Sequence, residues 1–174
     1  MNTKKLTSMA LMAALSIILV YFIHFPIFPA ASFLEYDPAD IPLMIAGFVF
    51  GPVTALLVCA VTCAIQAMTV SAASGVIGFC MHFFATGAFV LVSGLLSKHF
   101  KSKGGIIVAL LCGTIVTILM MIPLNLIFTP MYGTPIEAVK QMMLPVIVPF
   151  NAIKFFVNAL LTYLVYIPIR KHIK

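Results

Sequence analysis

From Ile41 to Val70 the chain runs for thirty residues without a charged side chain. About twenty apolar residues already match the thickness of a bilayer's hydrocarbon core. Such a run is costly to hide inside a soluble domain and easily accommodated in lipid. Comparable apolar segments cover Leu6–Phe25, Gly75–Leu96, Ile106–Phe128 and Val146–Ile169. Charged residues make up only 8% of the chain, ten basic and four acidic. A soluble domain carries about 25%. A cytosolic enzyme and a disordered tail are therefore excluded, and an all-α polytopic membrane protein is expected. With roughly 20 to 25 residues per crossing, the chain holds at most about six or seven helices and no second, soluble catalytic domain.

The placement of charge sets the expected topology. Eight of the ten basic residues fall in three clusters: Lys4/Lys5, Lys98/Lys101/Lys103 and Arg170/Lys171/Lys174. Basic residues favour cytoplasmic loops, so all three clusters belong on one side. The first segment carries the chain outward, and the region between Asp40 and Leu96 must then cross an odd number of times. Two helices fail this parity. Gly51-Pro52 is strong punctuation, and splitting the thirty-residue run there yields three. The expectation is one integral domain, 1–174, with six transmembrane helices at about 6–24, 38–50, 52–70, 75–97, 105–128 and 144–169 and both termini cytoplasmic. Pro26 and Pro29 stop the first helix. The long outer loop that follows holds Glu35, Asp37 and Asp40, with Asp37-Pro38 read as N-cap and first helical residue. Residues 129–141 read as a short polar loop. Helix two is short, about 20 Å for residues 38–50, which hints at an outward-facing cavity beside the long loop. Lys4 and Lys5 before an apolar run resemble a secretory signal, but the run is too long and leads into further membrane, so it reads as a retained helix.

Polar groups inside the membrane need an explanation. Asn151, Lys154 and Asn158 follow i, i+3, i+7 and share one face of the last helix. Lys154 either snorkels or lines a binding cavity, and the two asparagines beside it favour the cavity. Asn125, between Pro123 and Pro130, either joins the cavity or satisfies a carbonyl freed by those prolines. Gln66, near the outer end of helix three, faces cavity or headgroups. His82 reads more readily as an interhelical hydrogen bond than as a ligand. Cys59, Cys63, Cys80 and Cys112 lie in apolar stretches and read as packing residues. Cys59 and Cys63 share a face, but no His or carboxylate lies near them in sequence for a metal, and none is expected. With the loop acids read as outside, the cavity holds one ammonium, several amides and no embedded carboxylate. That set suits a neutral, planar solute whose edge alternates C=O and N–H groups. Proton or sodium coupling has no carboxylate to run on. The chain has no phosphate-loop motif, and neither H-E-x-x-H nor G-x-S-x-G. No enzymatic activity, nucleic-acid partner or bound cofactor is expected, and any uphill transport needs an external energy source.

Ala10-Leu-Met-Ala-Ala14 is a small-xxx-small element that admits close approach of another helix, or serves internal packing.

Taken together, these features resemble the substrate-binding (S) subunit of energy-coupling-factor vitamin transporters. Phe33-Leu-Glu-Tyr-Asp-Pro-Ala-Asp-Ile-Pro42 and Ala46-Gly-Phe-Val-Phe-Gly-Pro52 resemble the riboflavin-specific branch. So do Asn125 with Pro130 and Tyr132, and Pro149-Phe-Asn-Ala-Ile-Lys154 with Asn158. The Ala10/Ala14 pair resembles the family's docking motif. The resemblance spans nearly the whole chain. It implies a subunit of the bacterial cell membrane that binds riboflavin from outside with high affinity, loop one closing over the site. It also implies association with a transmembrane coupling protein and two cytosolic ATPases, Ala10 and Ala14 meeting the coupling protein. Toppling in the bilayer then delivers the vitamin inward. Carried over by residue, Asn125, Asn151 and Lys154 hydrogen-bond the flavin ring, with Asn158, Gln66, Phe33, Leu34 and Tyr36 as further candidates. The alternatives are a subunit for another vitamin or precursor, a membrane-embedded lipid enzyme, and a structural partner without ligand.

Overall fold

The computed structural model describes residues 3–171, the Ala30 side chain excepted; Lys174 of the third basic cluster lies outside the described residues. The chain is a bundle of α-helices. α1 spans Thr3–Phe22, α2 Asp40–Phe50, α3 Pro52–Met68, α4 Gly75–His99, α5 Lys103–Phe128, α6 Ile136–Met142 and α7 Val148–Ile169. Among the described residues, four helical stretches are long and apolar enough to cross a membrane, and α2 and α3 are shorter apolar helices. α1 turns Met9, Ala13, Ser16 and Val20 inward at helical spacing. Ala10 and Ala14 lie on its exposed side.

Two short strands interrupt the long loop after α1. β1 (Phe25–Pro26) pairs antiparallel with β2 (Glu35–Tyr36). Past β2 the chain descends into the bundle before α2 begins. Asp37 is not the helix cap expected from Asp37-Pro38: α2 starts at Asp40 with Ala39 in the cap position. The Asp37 Oδ1 instead accepts the Ala39 N–H at 3.0 Å, an Asx-type turn that delays the helix.

That delay accounts for the shortness of α2. Asp40 bonds Thr86 and Asn158. Thr86 is the twelfth of 25 residues in α4, and Asn158 the eleventh of 22 in α7. α2 thus starts at mid-depth and needs only its eleven residues, about 16 Å of helix, to reach the far end, where Phe48 packs on Tyr166 with ring centroids 4.9 Å apart. Gly51 then reverses the chain into α3 at φ 92°, a conformation that costs an L side chain strain, and Pro52 opens α3 where its missing N–H is harmless.

Residues 129–141, expected as loop, are partly helical. α6 runs through a π turn, Met143–Ile147, into α7, and the prolines at 145 and 149 explain the irregular turn because neither donates an N–H. α6 is amphipathic: its Glu137–Lys140 pair at 2.7 Å faces outward. Its Val139 joins Met143, Ile147 and Phe150 in packing against Leu34 of the loop. A larger apolar cluster, including Leu43, Met44, Phe89 and Phe155, fills the bundle below. α4 and α5 pack tightly where Gly113 meets Ser93 and Phe89, a place with no room for a Cβ.

Candidate ligand-binding cavity

A cavity of about 420 Å³ opens between the long loop and the same-side ends of α1, α4, α5 and α7. That volume is within the range of small-molecule sites, roughly 300–1,000 Å³. Asn125, Asn151, Lys154, Phe33 and Leu34 line it, as do Met81, His82, Thr129, Phe150 and Phe155. These five residues singled out in the sequence, Asn125, Asn151, Lys154, Phe33 and Leu34, are thus brought together from three elements: α5, α7 and the long loop. Tyr36, Asn158 and Gln66 are not in the lining. Tyr36 and Asn158 form the layer beneath it, where the Tyr36 hydroxyl donates to Asn158 Oδ1 at 3.0 Å. Gln66 is buried inside the bundle, with its Nε2 lacking a hydrogen-bond partner.

The asparagines share one local device. The Asn125 Nδ2 donates to the Met121 carbonyl and the Asn151 Nδ2 to the Ile147 carbonyl, each at 2.8 Å and each one turn back. Pro123 and Pro130 release the carbonyls of residues 119 and 126, four positions earlier. Asn125 bonds neither, so repair of the prolines does not explain it. Thr129 donates to Asn125 Oδ1 at 3.0 Å and fixes the amide from its other end. Among the described residues, Asn151 Oδ1 receives no hydrogen bond, which leaves a buried acceptor turned to whatever fills the cavity.

Lys154 overturns one expectation. Its Nζ donates to Asp37 Oδ2 at 2.6 Å, with both side chains buried. Asp37 and Asp40 are therefore embedded carboxyls rather than outer-loop acids. The signal was present in the sequence: two acids three residues apart, beside a helix too short to span. Asn158 Nδ2 donates to the Asp37 carbonyl and to Asp40 Oδ2, both at 2.9 Å. The Thr86 hydroxyl donates to Asp40 Oδ1 at 2.7 Å. These bonds tie the loop to α4 and α7. Burying two charges is repaid only when geometry and extra hydrogen bonds are good; here Asp37 has a second bond, from the Ala39 N–H, while Lys154 has the close contact with Asp37 alone. The pairing also neutralises the cation. One of the three Lys154 N–H groups is committed to Asp37 and two remain to donate. The cavity presents donors, one open amide oxygen, aromatic walls and the acidic side chains of Glu35 and Asp37, with no strong excess of positive charge. Such a site discriminates by hydrogen-bond pattern and shape.

Comparison with known proteins places this geometry in context. The family model for the substrate-specific component of ECF transporters matches residues 4–166. The riboflavin transporter RibU of Streptococcus thermophilus is 29% identical over 97% of this chain and 84% of its own length. The riboflavin transporter FmnP of Bacillus subtilis is also 29% identical, over 100% of this chain and 96% of its own. A solved structure of the S component of a bacterial ECF transporter superposes with a TM-score of 0.85 at 28% identity, covering 100% of this chain and 99% of that one.

Proposed function

The chain belongs to the substrate-specific components of ECF transporters, and on that premise we propose that it is a riboflavin-binding membrane subunit that hands the vitamin to an ATP-driven module. It is a transport component and not an enzyme. The observation that carries the ligand is the convergence of Asn125, Asn151 and Lys154 on one aromatic-walled cavity. The imide edge of the flavin ring alternates carbonyl, N–H and carbonyl. Asn151 Oδ1 matches the N–H, and the two uncommitted N–H groups of Lys154 match a flanking carbonyl. Asn125, clamped by Thr129, borders the same ring. Phe33, Phe150 and Phe155 supply surface for the ring faces, and Leu34 seats the loop as a lid.

The remaining assignments follow the same reading. Six crossings, both termini in the cytoplasm and residence in the bacterial cell membrane accord with the three basic clusters. The cavity then faces outside. The partners are a transmembrane coupling protein and two cytosolic ATPases, with the exposed Ala10 and Ala14 as the contact on α1.

A panel of vitamins in a thermal-shift assay tests the ligand. Riboflavin is expected to give the largest rise in the unfolding midpoint; a larger rise with any other vitamin overturns the assignment. Asn151→Ala removes the open acceptor and is expected to weaken riboflavin binding by more than about tenfold, the scale of one buried hydrogen bond. Unchanged affinity, measured by flavin fluorescence, would place the imide edge elsewhere.

A further inference from the structure

We propose that the end of the bundle opposite the cavity holds a binding site for the headgroup of an anionic phospholipid. A groove there lies between the ends of α2, α4, α5 and α7, and Lys98, Lys101, Arg170 and Lys171 line it. Phe48 and Tyr166, in contact with each other, form part of its wall. The groove is built, not a chance gathering of side chains. The Arg170 Nη1 donates to the Lys101 carbonyl at 3.3 Å and ties the end of α7 to the α4–α5 connection.

The chain supplies no side-chain counter-charge at this end. It has four acidic side chains. Glu35 borders the cavity, Asp37 and Asp40 are buried at mid-bundle, and Glu137 pairs with Lys140 on α6. Among the described residues no carboxylate pairs with any of the four groove cations. Four cations converging on one concavity repel one another unless an anion sits among them.

Position selects the anion. The surfaces just inside the groove are apolar and exposed, with Leu95 and Val165 facing outward, as lipid-facing helices are. The groove therefore lies where hydrocarbon gives way to headgroups, and a tyrosine such as Tyr166 is a usual residue at that level. The anion concentrated there is lipid phosphate, and basic pockets between helix ends suit it. The apolar wall accommodates the glycerol and upper acyl carbons that a free phosphate lacks.

The test uses the full-length protein in detergent, examined by native mass spectrometry with phosphatidylglycerol and phosphatidylcholine of identical chains. Phosphatidylglycerol is expected to be retained at least about tenfold more, from the attraction of several basic residues to an anionic headgroup. Joint replacement of Lys98, Lys101, Arg170 and Lys171 by glutamine is expected to abolish the preference. Lys103→Gln, a cation at the same end outside the groove, is expected to leave it intact. Ligand binding at the far cavity reports whether each variant is folded. Equal retention of the two lipids by the unaltered protein overturns the proposal, whatever the variants do. So does an equal loss on Lys103→Gln, or displacement of the lipid by millimolar inorganic phosphate.

Discussion

Lys154→Ala is expected to weaken riboflavin binding by more than about tenfold and to destabilise the fold by about 3–5 kcal/mol. Both effects come from the same 2.6 Å pair with Asp37. Removing the ammonium strips the cavity of its strongest donor and leaves a carboxylate buried without its counter-charge. Loss of binding by this variant alone is ambiguous, because a loosened loop also unseats the ligand. The double variant Lys154→Met with Asp37→Leu separates the two. Replacing both partners of a buried pair by apolar groups of similar size is often neutral or stabilising. Thermal stability is therefore expected to return in the double variant while riboflavin affinity does not. Wild-type affinity in the double variant would show that Lys154 holds the loop and never touches the ligand. The Asn158 bonds to Asp40 and to the Asp37 carbonyl remain in both variants, so the loop keeps one anchor throughout.

Bulky residues at Ala10 and Ala14 are expected to abolish riboflavin uptake by the assembled transporter while leaving binding to the isolated subunit unchanged. The two alanines lie on the exposed side of α1. The inward face of that helix carries Met9, Ala13, Ser16 and Val20 instead. Internal packing, the competing reading of the alanine pair, is thereby disfavoured. Small residues allow a partner helix close backbone approach in a membrane, where dispersion and not hydrophobicity drives association. Ala10→Phe with Ala14→Phe removes that approach without touching the core. Uptake in cells expressing the coupling protein and ATPases reads the first effect, and flavin fluorescence the second. Uptake at the wild-type level would move the coupling contact off this face.

The helical membrane class was legible because it rests on bulk properties, the length of apolar runs and the placement of lysines. The polar face of α7 was legible because Asn151, Lys154 and Asn158 follow one helical period. Three features were not. Asp37 reads locally as a solvated cap; the short helix beside it hints at burial, but its partner lies 117 residues away. No local pattern records that separation. α6 has seven residues, including Glu137 and Lys140, and its polar face mimics a loop; its role emerges only when Val139 packs on the long loop. Gln66, near the end of α3, is buried in the bundle and absent from the cavity lining, a matter of rotation that the rest of α3 decides. The embedded carboxyls change the electrostatic argument without changing its outcome. The sequence suggests a lone cation among amides, whereas the cation is neutralised by Asp37, and a neutral solute fits that arrangement at least as well.

The most direct measurement is a fluorescence titration of riboflavin with the ligand-free protein. On the proposed reading, in which the flavin ring lies against Phe150 and Phe155 and bonds Asn151 and Lys154, riboflavin is predicted to lose its emission in proportion to added protein. The break is predicted at one riboflavin per chain. Undiminished emission with protein at micromolar concentration would contradict the central claim, whatever the cavity's shape.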